Sequence, residues 1–226
     1  MKLIRARETL DQRPQFKKEL TQLFDRIEKT PRANTVKGMY VGGLVQALSS
    51  MGYEAGSGEK ITPFKDYPLR DYMEMLLDGA VSLYPKEPVA QGLRNLGQLG
   101  IPTFAKSIVG AVIMGTVGRS WELALKCVSR GYEVSLKPGK ATVAEMANGR
   151  ALVQLRNVWN FGDTYQVGMI EGLMQWCDVT GKVTPEVKSL CDVDLTIEWE
   201  QKKARKSYRP PAPAANREAS SAAAPR

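Results

Sequence analysis

The chain has 226 residues, 43% of them hydrophobic, with three cysteines and a formal net charge of +8. That length suffices for one sizeable domain with its own core. There is no histidine, which excludes His-ligated haem, Ser-His-Asp and Cys-His catalysis and nearly every catalytic zinc site.

The positive charge belongs to the ends. Residues 1–20 carry +3, residues 201–226 carry +6, and everything between them sums to −1. A basic chain normally raises nucleic acid as a partner, but here the body gives that idea little support. The first residues lack an apolar stretch of signal-peptide length, and no run approaches the ~18 apolar residues of a membrane span. Three cysteines without an export signal fit a reducing cytoplasm.

In chain order, Pro14 opens a helix with Phe16, Leu20, Leu23, Phe24 and Ile27 on one face, and Pro31 ends it. Residues 1–30 read as a helical extension, covering the core or presenting an apolar stripe to a partner. Asn34 or Thr35 caps a second helix bearing Val36, Tyr40, Leu44 and Leu48. Gly38, Gly42 and Gly43 inside it each cost roughly 1 kcal/mol of helix propensity, so close approach by a neighbouring helix is expected. The glycine-rich loop from Gly52 to Lys60 lacks the spacing of a phosphate loop.

Leu69, Tyr72, Met73, Leu76, Leu77, Ala80 and Tyr84 form the clearest amphipathic helix, with Asp66 suited to its positive end. Pro85 and Pro88 separate it from a helix carrying Val89, Leu93 and Leu96. Phe104, Ile108, Val109, Val112 and Ile113 read as a central buried helix. Ser120 caps a short one with Trp121, Leu125 and Val128, which Gly131 closes.

Period two then takes over. Tyr132–Leu136 and Thr142–Ala147 read as strands, and Asn148-Gly149 is a strong hairpin signal before Leu152, Val153 and Leu155. A helix follows with Tyr165, Met169, Ile170, Leu173 and Trp176 on one face. After a turn over Asp178–Leu190, Val193, Leu195, Ile197 and Trp199 alternate in a final strand. Residues 201–226 read as a disordered basic Ala/Pro-rich tail.

Candidate sites are sparse. Gly168 and Gly172, four apart on one helix face, admit very close approach of a backbone, a cofactor or a lipid chain. With Tyr165, Glu171 and Trp176 they form a possible pocket or interface, or simply pack helix on sheet. Cys177 and Cys191 could bind a soft metal, but zinc usually takes four ligands and no CxxC pair is present, so a structural or incidental role is the favoured reading; Cys127 reads as core. Lys202, Lys203, Arg205 and Lys206 support salt-sensitive contact with nucleic acid or an anionic membrane, or a solvated tether. Tyr208–Pro213 is a weak polyproline-type pattern.

Thr35–Gly43, Phe64–Leu69, Asn148-Gly149-Arg150 and Tyr165–Gly172 together resemble a myxobacterial paralogous family of unknown function, over roughly residues 30–200. At greater distance the Gly168–Gly172 helix and its following strand resemble the vinyl-reductase-domain, haem-nitric-oxide-binding and TRAPP-subunit group. That resemblance implies a helical layer on a small antiparallel sheet, acting as a small-molecule sensor or dimeric scaffold. Its haem members need a proximal histidine and its zinc members a cysteine cluster, so neither cofactor carries over.

The expected fold is α+β, helices on one face of an antiparallel sheet of four or five strands, spanning residues 31–200. The expected function is a non-enzymatic regulatory adaptor, self-associating or binding a protein such as a small GTPase or response regulator. The alternative is a small-molecule or lipid sensor with an internal apolar pocket. A carboxylate-based enzyme and nucleic-acid binding through the tail are lesser readings.

Overall fold

A computed structural model describes residues 1–54, 60–105 and 108–200. The basic cluster Lys202, Lys203, Arg205 and Lys206, the rest of the tail and part of the loop after Gly52 lie outside the described residues.

Two short 3-10 turns, Ala6–Thr9 and Pro14–Phe16, lead into helix α1 (Lys17–Lys29), which buries Leu20, Phe24 and Ile27. The carboxylate of Asp78, in helix α3 (Leu69–Leu83), accepts the Ala6 N–H at 2.8 Å and pairs with Arg5 at 3.0 Å. The first residues are thus tied into the same core as the remainder.

Strand β1 (Thr35–Lys37) stands where a helix start was expected, and helix α2 (Gly38–Ser50) begins after it. β1 pairs antiparallel with β2 (Asp66–Pro68) on one side and β3 (Leu136–Lys137) on the other. Two sets of ladder bonds outweigh one more helical turn, and Thr35 and Val36 are β-branched. Asp66 therefore sits in a strand, where its carboxylate bridges Lys37 at 2.7 Å and Lys137 at 3.2 Å. Gly38 is approached closely, but by the loop carbonyl of Thr62 and not by a helix.

Helix α4 (Val89–Ala105), with Pro102 inside it, is followed by α5 (Ile108–Val117). The segments Val89–Ala105 and Gly110–Val117 are bent by 85° to one another. Val112 is 69% exposed, so this apolar stretch is not the central buried helix its composition suggests. Among the described residues no single helix is long and apolar enough to cross a membrane.

Helix α6 (Trp121–Ser135) starts at Ser120, whose side chain accepts the Leu123 N–H as expected. It does not close at Gly131 but continues to Ser135, so the expected strand Tyr132–Leu136 shrinks to β3. Ala124, Cys127, Val128, Gly131, Tyr132 and Ser135 recur at helical spacing on one face, and that longer pattern prevails over five alternating residues.

The main sheet is antiparallel in the order β4-β5-β7-β6, with β4 Lys140–Ala147, β5 Arg150–Arg156, β6 Gly181–Val187 and β7 Val193–Trp199. The β4–β5 turn uses Asn148 at φ 52° and Gly149 at φ 79°, the left-handed pair a two-residue hairpin requires. Ala151, Val153, Leu155, Val193, Leu195 and Ile197 fill its buried face. β6 occupies an edge where a turn was expected. Only Val183 of it is buried, and Pro185, with no N–H to give, is tolerated in an edge strand. The fold is α+β, with a four-stranded sheet and a separate three-stranded one, β2-β1-β3.

Candidate functional site: a tyrosine-lined cavity

Helix α7 (Tyr165–Trp176) organises the middle of the molecule, and its two sides differ. One side packs on α4. A Cβ at Gly168 would lie 1.9 Å from the Arg94 carbonyl oxygen, and one at Gly172 would lie 2.6 Å from that of Gln98. Gly97 on α4 reciprocates, 2.2 Å from the Tyr165 carbonyl oxygen. The helices touch backbone to backbone, so nothing else enters between them at these positions.

Glu171 seals this seam. It accepts from Arg94 Nε at 2.8 Å, from Arg94 Nη2, and from Gln98 Nε2 at 2.9 Å. Burial pushes its carboxyl up, but the hydrogen bonds from Arg94 and Gln98 and the Arg94 charge outweigh this and hold it below the usual range. Gly168, Glu171 and Gly172 therefore serve an intramolecular helix pair and do not line the cavity on the other side of α7. Trp176 is half-buried near the α5–α6 connection, donating from Nε1 to the Gly118 carbonyl at 3.2 Å under the Arg119 guanidinium. Of the five residues singled out in the sequence, Tyr165 alone lines the cavity.

That cavity lies on the other side of α7 and measures about 130 Å³. Tyr165, Gln166, Met169, Ile170 and Leu173 of α7 form one wall, and the helical stripe of α6 from Ala124 to Ser135 forms the opposite one. Val36, Tyr40 of α2, Tyr72 of α3, Ile101 of α4, and Met114 and Val117 of α5 complete it. Among the described residues, no charged side chain lines it.

Four tyrosines from four helices converge here. The Tyr72 and Tyr165 hydroxyls are 2.9 Å apart with their rings edge to face. Tyr132 donates to Gln166 Oε1, and Gln166 Nε2 donates to the Asn160 backbone carbonyl at 3.4 Å. Burial is the leading cause of a raised pKa in all four: Tyr40 and Tyr132 are pushed up, Tyr72 well up, and Tyr165 to about 12. Near neutral pH each is an uncharged phenol, able to donate and accept.

Asn160, 3% exposed, lines the cavity, and its Oδ1 is buried without a hydrogen-bond partner. The loop that presents it is held tightly. Phe161 is fully buried at φ 57°, an uncommon conformation for a bulky residue. Asp163 grips Arg26 of α1 at 2.6 Å.

Tyr40, Tyr72 and Tyr132 were legible only as core or alternating positions. The available signal was their type: a tyrosine in a buried stripe brings a hydroxyl that needs a partner. Gln166 and Asn160 in an apolar neighbourhood carried the same hint. Cys127 lines the cavity, whereas Cys177 and Cys191 are free thiols elsewhere. Among the described residues no group of three or more potential metal ligands exists.

The chain belongs to a family described as "Protein of unknown function (DUF2378)", whose model matches residues 29–200. No curated protein sequence matches it. Among solved structures, a doubly substituted Tt H-NOX domain matches with a TM-score of 0.54 at 17% identity, covering 73% of this chain and 95% of that one. A singly substituted Tt H-NOX gives the same figures, and an H-NOX protein from S. oneidensis matches at 0.49, with 13% identity over 73% and 99% of the two chains. At these identities the likeness is one of fold. It bears on the haem-nitric-oxide-binding branch of the expected resemblance.

Proposed function

We propose that this family member is a sensor module that holds a small, uncharged, largely apolar ligand between α6 and α7. One observation carries the reading: a cavity of about 130 Å³ with no charged side chain among its described lining residues, into whose wall four phenols and an unpartnered amide oxygen are gathered. An apolar pocket with a few convergent polar groups is the usual form of a small-molecule site. Its volume is near that of an engineered ~150 Å³ cavity that takes up benzene or xenon. The H-NOX fold supports the same class of module. The regulatory-adaptor reading, with a small GTPase or response regulator as partner, gains no support from the cavity or the fold.

Haem does not fit this cavity. The chain has no histidine, and the described groups lining the cavity that could reach an iron are phenols held neutral by burial, the Cys127 thiol and the Met114 and Met169 thioethers. A porphyrin is larger than the drug-sized ligands that need ~300–1,000 Å³, and its acid groups would meet no cation among the described lining residues.

The test is benzene binding to the full chain by calorimetry, alongside native mass spectrometry of gently purified protein. Gly131→Leu is the control: Gly131 lines the cavity and a Cβ there meets nothing within 4 Å, so the larger side chain has room to enter. Benzene binding in the wild type that disappears in the variant supports the reading. An absence of any binding in the wild type, with no retained ligand, sinks it.

A further inference from the structure

Resting on that reading, we infer that the ligand is a neutral single-ring aromatic carrying one hydroxyl or amine donor, a molecule of the phenol or aniline class. Three features of the lining converge on this.

The first is size. About 130 Å³ admits one ring with a small substituent, by comparison with the ~150 Å³ that takes benzene. The second is the character of the wall. Four tyrosine rings and the thioethers of Met114 and Met169 surround the space. Aromatic edges and faces and polarisable sulfur favour a planar aromatic guest over a branched aliphatic one.

The third is the polar inventory. Asn160 Oδ1 accepts nothing, and a buried unsatisfied acceptor costs free energy that a ligand donor would recover. Of the two protons on the Tyr72 and Tyr165 hydroxyls, one is used between them, and the other has no acceptor among the described residues. A phenol both donates and accepts, and so matches an orphaned acceptor and a spare donor together. A charged ligand is disfavoured because no described lining residue opposes its charge.

Four probes separate these statements on the full-length protein: phenol, toluene, benzoate and naphthol. Phenol should bind roughly three- to tenfold more tightly than toluene, the worth of one hydrogen bond. Benzoate and naphthol should bind far more weakly than phenol. In Asn160→Leu the phenol preference should fall towards one while toluene binding persists, and circular dichroism should show the variant folded.

Toluene binding as tight as phenol in the wild type would overturn the donor requirement and leave the apolar-cavity reading intact; a water held by Asn160 would give that result. Benzoate binding as tight as phenol would overturn neutrality, and naphthol the size limit. If phenol, toluene and benzene all fail to bind and native mass spectrometry finds no retained ligand, the cavity reading falls together with this inference. Because the ratios are read in the wild type, the test stands even if Asn160→Leu fails to fold.

Discussion

The two sides of α7 treat small residues in opposite ways. Towards α4, glycines at 97, 168 and 172 let backbones touch, and the space is gone. Towards α6, large side chains leave about 130 Å³ open, and the glycine of that opposite wall, Gly131, meets nothing within 4 Å of an added Cβ. A glycine in a helix thus marks either a surface filled by a neighbour or a gap with no neighbour. The polar groups follow the same division. On the α4 side a charged pair, Arg94–Glu171, closes the seam, whereas on the α6 side every polar group among the described cavity-lining residues is uncharged and one acceptor is unpaired. The sealed side builds the fold, and the open side carries the proposed ligand site.

The strongest way to break this comparison is Gly168→Ala. The new methyl would lie 1.9 Å from a backbone oxygen, which no rotamer change relieves, so the helices must part. We expect a loss of about 3 kcal/mol, at the upper end of overpacking costs, read as a lower urea midpoint. A loss under about 1 kcal/mol would mean that the seam yields easily and that the two sides are less different than they look.

Glu171→Gln tests the charge in the seam. The carboxyl sits below its ordinary range in the folded chain, so its contribution is fully present above its unfolded pKa of about 4.3. It is lost as pH falls through the lower folded value. The variant should be less stable by about 1 kcal/mol at neutral pH, a modest figure because Arg94 is partly solvated. That deficit should shrink on acidification below pH ~4.3. The wild-type minus variant difference is the quantity to follow, because Asp78, raised chiefly by burial, acts with the opposite sign. A deficit independent of pH would assign the effect to packing and not to charge.

Much of the scaffold was readable because its signals are local. Asn148-Gly149 has one favoured geometry, Ser120 one capping role, and Val193 to Trp199 an alternation long enough to resist other readings. Failures came where pairing partners lie far away in sequence. Thr35–Lys37 became a strand because residues 66–68 and 136–137 flank it. Gly181–Val187 became one because β7 pairs with it, although Pro185 argued against it. The site was hardest to read. Gly168 and Gly172 announced a close approach but not whose, and α4 supplied the neighbour. The cavity is written into no motif, since Tyr40, Tyr72, Tyr132, Asn160 and Tyr165 meet only after the helices cross.

Gly131→Ala makes the same chemical change as Gly168→Ala, and the comparison demands the opposite sign. Gly131 lies inside α6 with a helical backbone and open space beside it, so the methyl brings no clash. It should add the helix preference of alanine over glycine, about 1 kcal/mol, and raise the thermal midpoint. The methyl also enters the cavity wall, so phenol and benzene should bind more weakly in this more stable protein. Stability and binding moving apart at one position would show that the gap beside α6 serves a ligand at some cost to the fold. If Gly131→Ala destabilises the chain, the space beside that glycine is filled by some arrangement of its neighbours, and the distinction between the two faces of α7 fails there.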